Sequence, residues 1–165
     1  IGECMLGDDA TTPDLYYKTL LDAIPLPIFV VDDDMRILDF NNAASALLVD
    51  SRGIVLRKRG GERLHCIHST DVPEGCGHGP HCSSCVLRNS VNESLRGKRV
   101  YRQKTRMELI VDGGVNEIDM LVTATPIPDQ PQRALLILED VSELNNLRTL
   151  IPMCAQCRRI RNDDQ

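Results

Sequence analysis

Four of the seven cysteines and all four histidines of this 165-residue chain fall between residues 65 and 85: His65, Cys66, His68, Cys76, His78, His81, Cys82 and Cys85. The cysteines are spaced C-x9-C-x5-C-x2-C, with Gly75 and Gly77 on either side of Cys76. Thiolates are soft ligands, and four in one short loop meet the demand of a zinc ion or an iron–sulfur cluster. Cys82 and Cys85 form a knuckle, and the two glycines let the backbone fold closely around the Cys76 sulfur. Cys85 stands where a helix begins, so the helix dipole favours its thiolate. Cys66, Cys76, Cys82 and Cys85 are therefore the candidate ligands of one metal centre. Zinc and iron–sulfur both remain open. Four-cysteine zinc sites usually pair two C-x2-C knuckles, and this loop has one, which speaks for iron; a structural zinc is the commoner way to order such a loop. Zinc would draw the sulfurs to within about 4 Å of one another, and a cluster would hold them further apart.

Other reactive residues are less telling. His65 and His68 flank Cys66 and are placed to replace a cysteine ligand or to tune one from behind; loop histidines otherwise hydrogen-bond locally. Asp32-Asp33-Asp34 reads as a hairpin turn rather than a site for a hard cation. Cys4 lies in an N-terminal tail with no assignable partner. Cys154-x2-Cys157 has redox spacing but does not follow a strand, as a thioredoxin-like pair would. The chain has no G-x-S-x-G, no phosphate loop and no H-E-x-x-H, so it reads as a non-enzyme.

Composition narrows the class. The chain is 42% hydrophobic but only 3% aromatic, with no tryptophan, so one domain with an aliphatic core is expected. A net charge of −5 argues against nucleic acid or an anionic membrane as the main partner. It disfavours a zinc-finger nucleic-acid binder too. The basic clusters Arg57-Lys58-Arg59 and Arg96 to Arg106 read as solvated faces. No apolar run reaches the roughly 18 residues of a membrane span, so no membrane contact is expected. The start, Ile1-Gly2-Glu3-Cys4, is neither an initiator methionine nor a signal peptide and reads as a piece of a longer protein. An odd cysteine count with one tight knuckle points to a reducing cytoplasm and metal-bound thiolates rather than a disulfide framework.

The elements that must position the cysteines follow from pattern. Thr11-Thr12-Pro13-Asp14 starts a helix whose stripe is Leu15, Thr19, Leu20 and Ala23, ending at Pro25-Leu26-Pro27. Ile28 to Val31 and Met35 to Phe40 read as a strand pair around the aspartate turn. Asn41-Asn42 can cap a helix over Ala43 to Leu48. From Val49 to Cys85 periodicity fades, and a stretch that long without regular structure needs something else to hold it. Cys85 to Leu95 is helical and closes at Gly97. Val100–Val111 and Val115–Ile127 are long strands joined by Asp112-Gly113-Gly114, a strong hairpin signal. The apolar run Ala134 to Leu138 predicts a central strand buried on both faces or nearly so, between Ile28–Asp32 and Val115–Ile127. Ser142 to Ile151 returns to helix, with Leu144, Leu147 and Ile151 on one stripe.

This order of elements, with these local sequences, resembles a PAS domain. Leu21 to Asp32 looks like the opening of that fold, and Ile37-Leu38-Asp39-Phe40-Asn41-Asn42-Ala43-Ala44 looks like its second strand and first helix. Leu138-Glu139-Asp140-Val141-Ser142-Glu143 is similar to the D-[IV]-[ST]-E that ends the last strand and starts a signalling helix. The resemblance implies an α+β fold: a five-stranded antiparallel sheet with helices on one face and flanking terminal helices. It implies three parts. Residues 1–15 are a tail and the start of the first helix; residues 16–143 are the PAS domain with its cysteine-rich loop at 64–88; residues 144–165 are a signalling helix and a truncated C-x2-C segment.

PAS domains are sensor and dimerisation modules of bacterial signalling proteins, commonly ahead of histidine kinases. The resemblance therefore implies a homodimer through the terminal helices and a downstream signalling domain. No haem or flavin is expected: the N-C-R-F-L-Q flavin-attachment motif is missing, and no histidine lies in the Cys85–Leu95 helix. Leu64 to Arg88 looks like an insertion of a PAS subset, L-x-C … G-C-G-x4-5-C-x2-C-x2-R. The tail Leu150 to Arg161 resembles L-[IL]-P-[IM]-C-x2-C-[KR]-[KR]-I-R, which follows PAS or receiver domains. The function read from the sequence is a sensory module carrying a four-cysteine metal site. The alternative is a thiol-redox or electron-transfer protein using the same cysteines.

Overall fold

A computed structural model describes residues 13–48, 52–111 and 113–150. Helix α1 (Pro13–Ala23) leads into strands β1 (Ile28–Val31) and β2 (Ile37–Phe40). Between them Asp32 makes the turn: its Oδ1 accepts the amides of Asp34 at 3.0 Å and Arg36 at 2.8 Å. This is what a short acidic side chain does best at a chain reversal. After β2 and a 3-10 turn at Ala43–Leu47 come four more short helical pieces, two of which are α2 (Arg52–Val55) and α3 (Gly60–Arg63). The other two are single 3-10 turns at Ile67–Thr70 and Pro80–Ser84. Helix α4 (Val86–Leu95) precedes the hairpin of β3 (Val100–Val111) and β4 (Gly114–Pro126), then β5 (Ala134–Asp140) and helix α5 (Ser142–Leu150).

The sheet order is β2-β1-β5-β4-β3, antiparallel throughout. β5 is central, with Phe29 opposite Leu136 on one side and Val122 opposite Leu138 on the other. Its burial alternates, however. Ala134, Leu136 and Leu138 are buried, whereas Leu135 and Ile137 are half-buried. The expectation of burial on both faces is corrected: only one face carries the core, in which Phe29, Ile37, Met120 and Val122 are also buried. α4 lays Leu87 and Val91 into that core, and Ser90 and Ser94 are buried beside them. Small side chains at those two positions let the helix lie close to the sheet.

Two further expectations change in detail. Ala43–Leu47 is a 3-10 turn, not an α-helix, and Asn41 rather than Asn42 supplies its side-chain cap, accepting the Ala44 amide at 3.0 Å. Residues 52–84 hold short helical turns where irregular chain was expected, because each turn is too brief to show a period. On the terminal helices, Leu20, Leu144 and Leu147 are about half exposed, as are Tyr16 and Tyr17. Thr19 and Ala23 are exposed too, so the expected α1 stripe faces away from the core. Ile151, Cys4, Cys154, Cys157 and the tail motif lie outside the described residues, as does the Leu15 side chain. Among the described residues no helix is long and apolar enough to cross a membrane.

Candidate metal centre

Backbone pairing pins the cysteine segment to the sheet. Cys66 forms an isolated bridge with Leu109 on the edge strand β3, and the Ile110 amide donates to the His65 carbonyl at 2.8 Å. His65 itself has φ +57, the left-handed kink that turns the chain onto that strand. Upstream, the Gly60 amide donates to the Met35 carbonyl at 2.8 Å. Downstream, Cys85 is the N-cap residue of α4, and its carbonyl accepts the Asn89 amide at 2.9 Å. With these ends fixed, Cys66, Cys76, Cys82 and Cys85 all line one cavity of about 200 Å³, shared with Met35, Leu87 and Met107. All four are free thiols, and Cys82 is buried.

Glycines make the enclosure possible. A Cβ on Gly61 would stand 2.6 Å from the Cys76 sulfur and 3.0 Å from its Cβ, so the Cys76 side chain occupies room that only glycine leaves. Gly61→Ala is accordingly expected to destabilise the fold by about 1–3 kcal/mol through overpacking. The measurement is the urea midpoint, which should fall with no change in its slope. Gly75 and Gly77 adopt φ +80 and +100, which side chains rarely tolerate. A Cβ on Gly77 would also run into the Arg88 guanidinium.

The cavity wall carries donors aimed at sulfur. The Gly77 amide donates to the Cys82 Sγ at 3.1 Å, and Arg88 Nη2 stands 4.0 Å from the Cys76 Sγ. Arg88 is held in turn by Asp34, whose carboxylate lies 3.6 Å from Arg88 Nη1, 2.8 Å from Arg59 Nη2 and 3.2 Å from Arg36 Nη2. Burial pushes Asp34 up, but the Arg59 hydrogen bond and the three guanidinium charges outweigh it and hold the carboxyl below its usual range. The β1–β2 turn is thereby wired to the cysteine segment. Burial pushes the Cys66 thiol up against a backbone hydrogen bond from His68, and the other three cysteines push it up further. Burial also raises Cys76, opposed by the Arg88 hydrogen bond.

Among the described residues no three cysteine sulfurs lie within 4.8 Å of one another; the trio that meets that separation is His68, Asp71 and His81. The structure thus brings the four sulfurs to one cavity without drawing any three of them as close together as the ligands of a single zinc ion. Of the remaining histidines, His65 lines a neighbouring groove with Glu62 and Thr70, and His78 is exposed. Sequence reasoning missed Asp71, whose three-residue offset from His68 on a helical turn was the available signal. It also missed Arg59 and Asp34 as the support of Arg88.

Residues 15–77 match the profile of a family described as PAS domain. No curated protein matches the chain. Among solved structures, the chain is similar to a domain of a sensory box sensor histidine kinase/response regulator from Geobacter sulfurreducens. Identity is 18% and the TM-score 0.51, over 77% of this chain and 93% of that one. It is equally similar to the PAS domain of nitrogen regulation protein NR(II) from Vibrio parahaemolyticus, at 18% identity and TM-score 0.51, over 75% and 96% of the two chains. A third likeness is to the PAS domain, in complex with ethanol, of a LuxR-family transcriptional regulator from Burkholderia thailandensis. There identity is 16% and the TM-score 0.51, over 76% and 97%. At such identities the likenesses speak for the fold alone. The family match runs over the first two strands and the first two of the four cysteines, and the five-stranded sheet beyond it gives the chain the fold of a PAS domain.

Proposed function

We propose that this PAS domain is a sensory module whose four cysteines, Cys66, Cys76, Cys82 and Cys85, hold an iron–sulfur cluster. The observation that carries the reading is the common cavity: four thiols from a chain segment with little apolar content surround one space of about 200 Å³. A cluster is preferred to zinc because four-cysteine zinc sites usually pair two C-x2-C knuckles, and this segment has one. The Gly77 amide and the Arg88 guanidinium are the kind of donors that tune a cluster's potential through its sulfurs.

Signalling output runs through the ends of the module. β5 leads directly into α5, where Leu144 and Leu147 are half exposed, and Leu20 and the two tyrosines of α1 are exposed as well. These faces suit a homodimer and a following domain. The names of the structural neighbours, a sensor kinase and two regulators, support a role in signalling.

The test is metal and sulfide analysis with a visible spectrum on protein purified anaerobically. Iron and sulfide in equal amounts, with blue–violet absorption, are the expected result. A colourless protein with one zinc per chain would replace the cluster by a structural ion, and a metal-free protein would overturn the site.

A further inference from the structure

We propose a second metal site at the rim of the cysteine cavity, which His68 and His81 also line: His68, Asp71 and His81 bind one divalent cation of the zinc–cobalt–nickel class. The ligand atoms of these three residues all lie within 4.8 Å of one another. Asp71 Oδ2 is 3.0 Å from His68 Nδ1; the two imidazoles stack with centroids 4.1 Å apart and planes 21° from parallel, so one ring must turn out of the stack for both to reach a single ion. His68 and His81 stand on the two 3-10 turns, Ile67–Thr70 and Pro80–Ser84, and Asp71 is the residue that closes the first of them.

A second observation points the same way. The far nitrogen of the His68 ring, Nε2, lies 3.5 Å from Glu108 Oε2 on β3. A histidine that ligates metal through one nitrogen commonly has its other nitrogen held by a carboxylate, which fixes the ring and raises its basicity. Glu108 has that relation to His68, with Asp71 on the opposite, metal-facing side. The donor set decides the ion. Two imidazoles and one carboxylate suit borderline first-row cations, not calcium or magnesium, and the absence of sulfur from the set disfavours copper(I). Three protein ligands leave a position open to solvent, and both Asp71 and His81 are exposed. An ion there would tie the turn that follows Cys66 to the turn that contains Cys82, and so clamp the two halves of the cysteine segment.

Cobalt(II) is the probe, because cobalt–thiolate ligation gives an intense near-ultraviolet charge-transfer band that nitrogen and oxygen ligands do not. Titrating the anaerobically purified protein should reveal one equivalent that binds without that band. His68→Ala and His81→Ala should each weaken it about tenfold or more, and Glu108→Gln should weaken it by a smaller factor within the 10–100-fold range seen for outer partners. Iron content and any thiolate band should stay at wild-type levels. Cobalt that binds only with the thiolate band, or equally well to the histidine variants, overturns the proposal. Failure of the cysteine cluster reads differently: iron and colour are missing while the band-free equivalent persists.

Discussion

Serine at Cys82 is expected to remove more than nine-tenths of the bound iron and all visible colour. Cys82 is the buried member of the four, and its sulfur already accepts the Gly77 amide at 3.1 Å. A serine oxygen is harder, shorter and protonated at neutral pH, so it neither reaches as far nor binds iron as a thiolate does. The consequence extends to folding. Metal binding energy is folding energy where a segment cannot order itself, and between Gly60 and Cys85 the buried residues are few: Leu64 and Cys82 among the apolar side chains. Limited proteolysis of C82S should therefore cut within 60–85 while the sheet survives. Ser83→Ala, at an exposed neighbour whose hydroxyl bonds only the Pro80 carbonyl, should leave both iron and protease resistance unchanged. C82S protein that keeps its colour, or whose loop resists protease as wild type does, would remove the cluster from the account.

Much of the fold was legible because its elements carry their own periodicity. β3 and β4 are long, and Asp112-Gly113-Gly114 offers the left-handed residues a tight reversal needs, with Gly113 at φ +79. The Ala134 run marked a central strand since five successive apolar residues have no other place in a small sheet. The run could not reveal that Leu135 and Ile137 face a thinner cover, because that depends on which terminal elements lie over the outer face. The cysteine spacing singled out four residues, all of which line one cavity. It could not tell their separation, which is set by the Cys66–Leu109 bridge, the Gly61 contact and the start of α4, three constraints spread along the chain. The Asp34–Arg88 pairing was equally hidden, since nothing local in either segment requires the other.

Asn41→Ala is expected to lower stability by about 3–5 kcal/mol, a large effect for one neutral side chain and one that arises from buried backbone left without partners. Asn41 is 1% exposed. Its Oδ1 accepts the amides of Ile28 and Ala44, both at 3.0 Å, while its Nδ2 donates to the carbonyls of Leu21, Ile24 and Leu26 at 2.9, 3.1 and 2.9 Å. One side chain thus closes the end of α1, the loop after it, the start of β1 and the 3-10 turn beyond β2. Alanine leaves the buried amides of Ile28 and Ala44 without an acceptor, and each such group costs about 1–3 kcal/mol; the three carbonyls are only part-buried, and that of Leu21 keeps the Ile24 amide, so they add less. Asn41→Asp separates the two halves of the network. It retains the acceptor but sets a carboxylate oxygen against three carbonyls, so it should destabilise nearly as much as alanine. Hydrogen exchange should speed up first at Ile28 and Ala44, the two amides that lose their acceptor in the alanine variant, and remain slow in β4 and β5. Because Asn41 belongs to the joint between α1 and the sheet and touches no cysteine, N41A should loosen the N-terminal helix while bound metal stays in place. An N41A protein within about 0.5 kcal/mol of wild type, the range of an ordinary surface substitution, would show that this joint does not hold the helix.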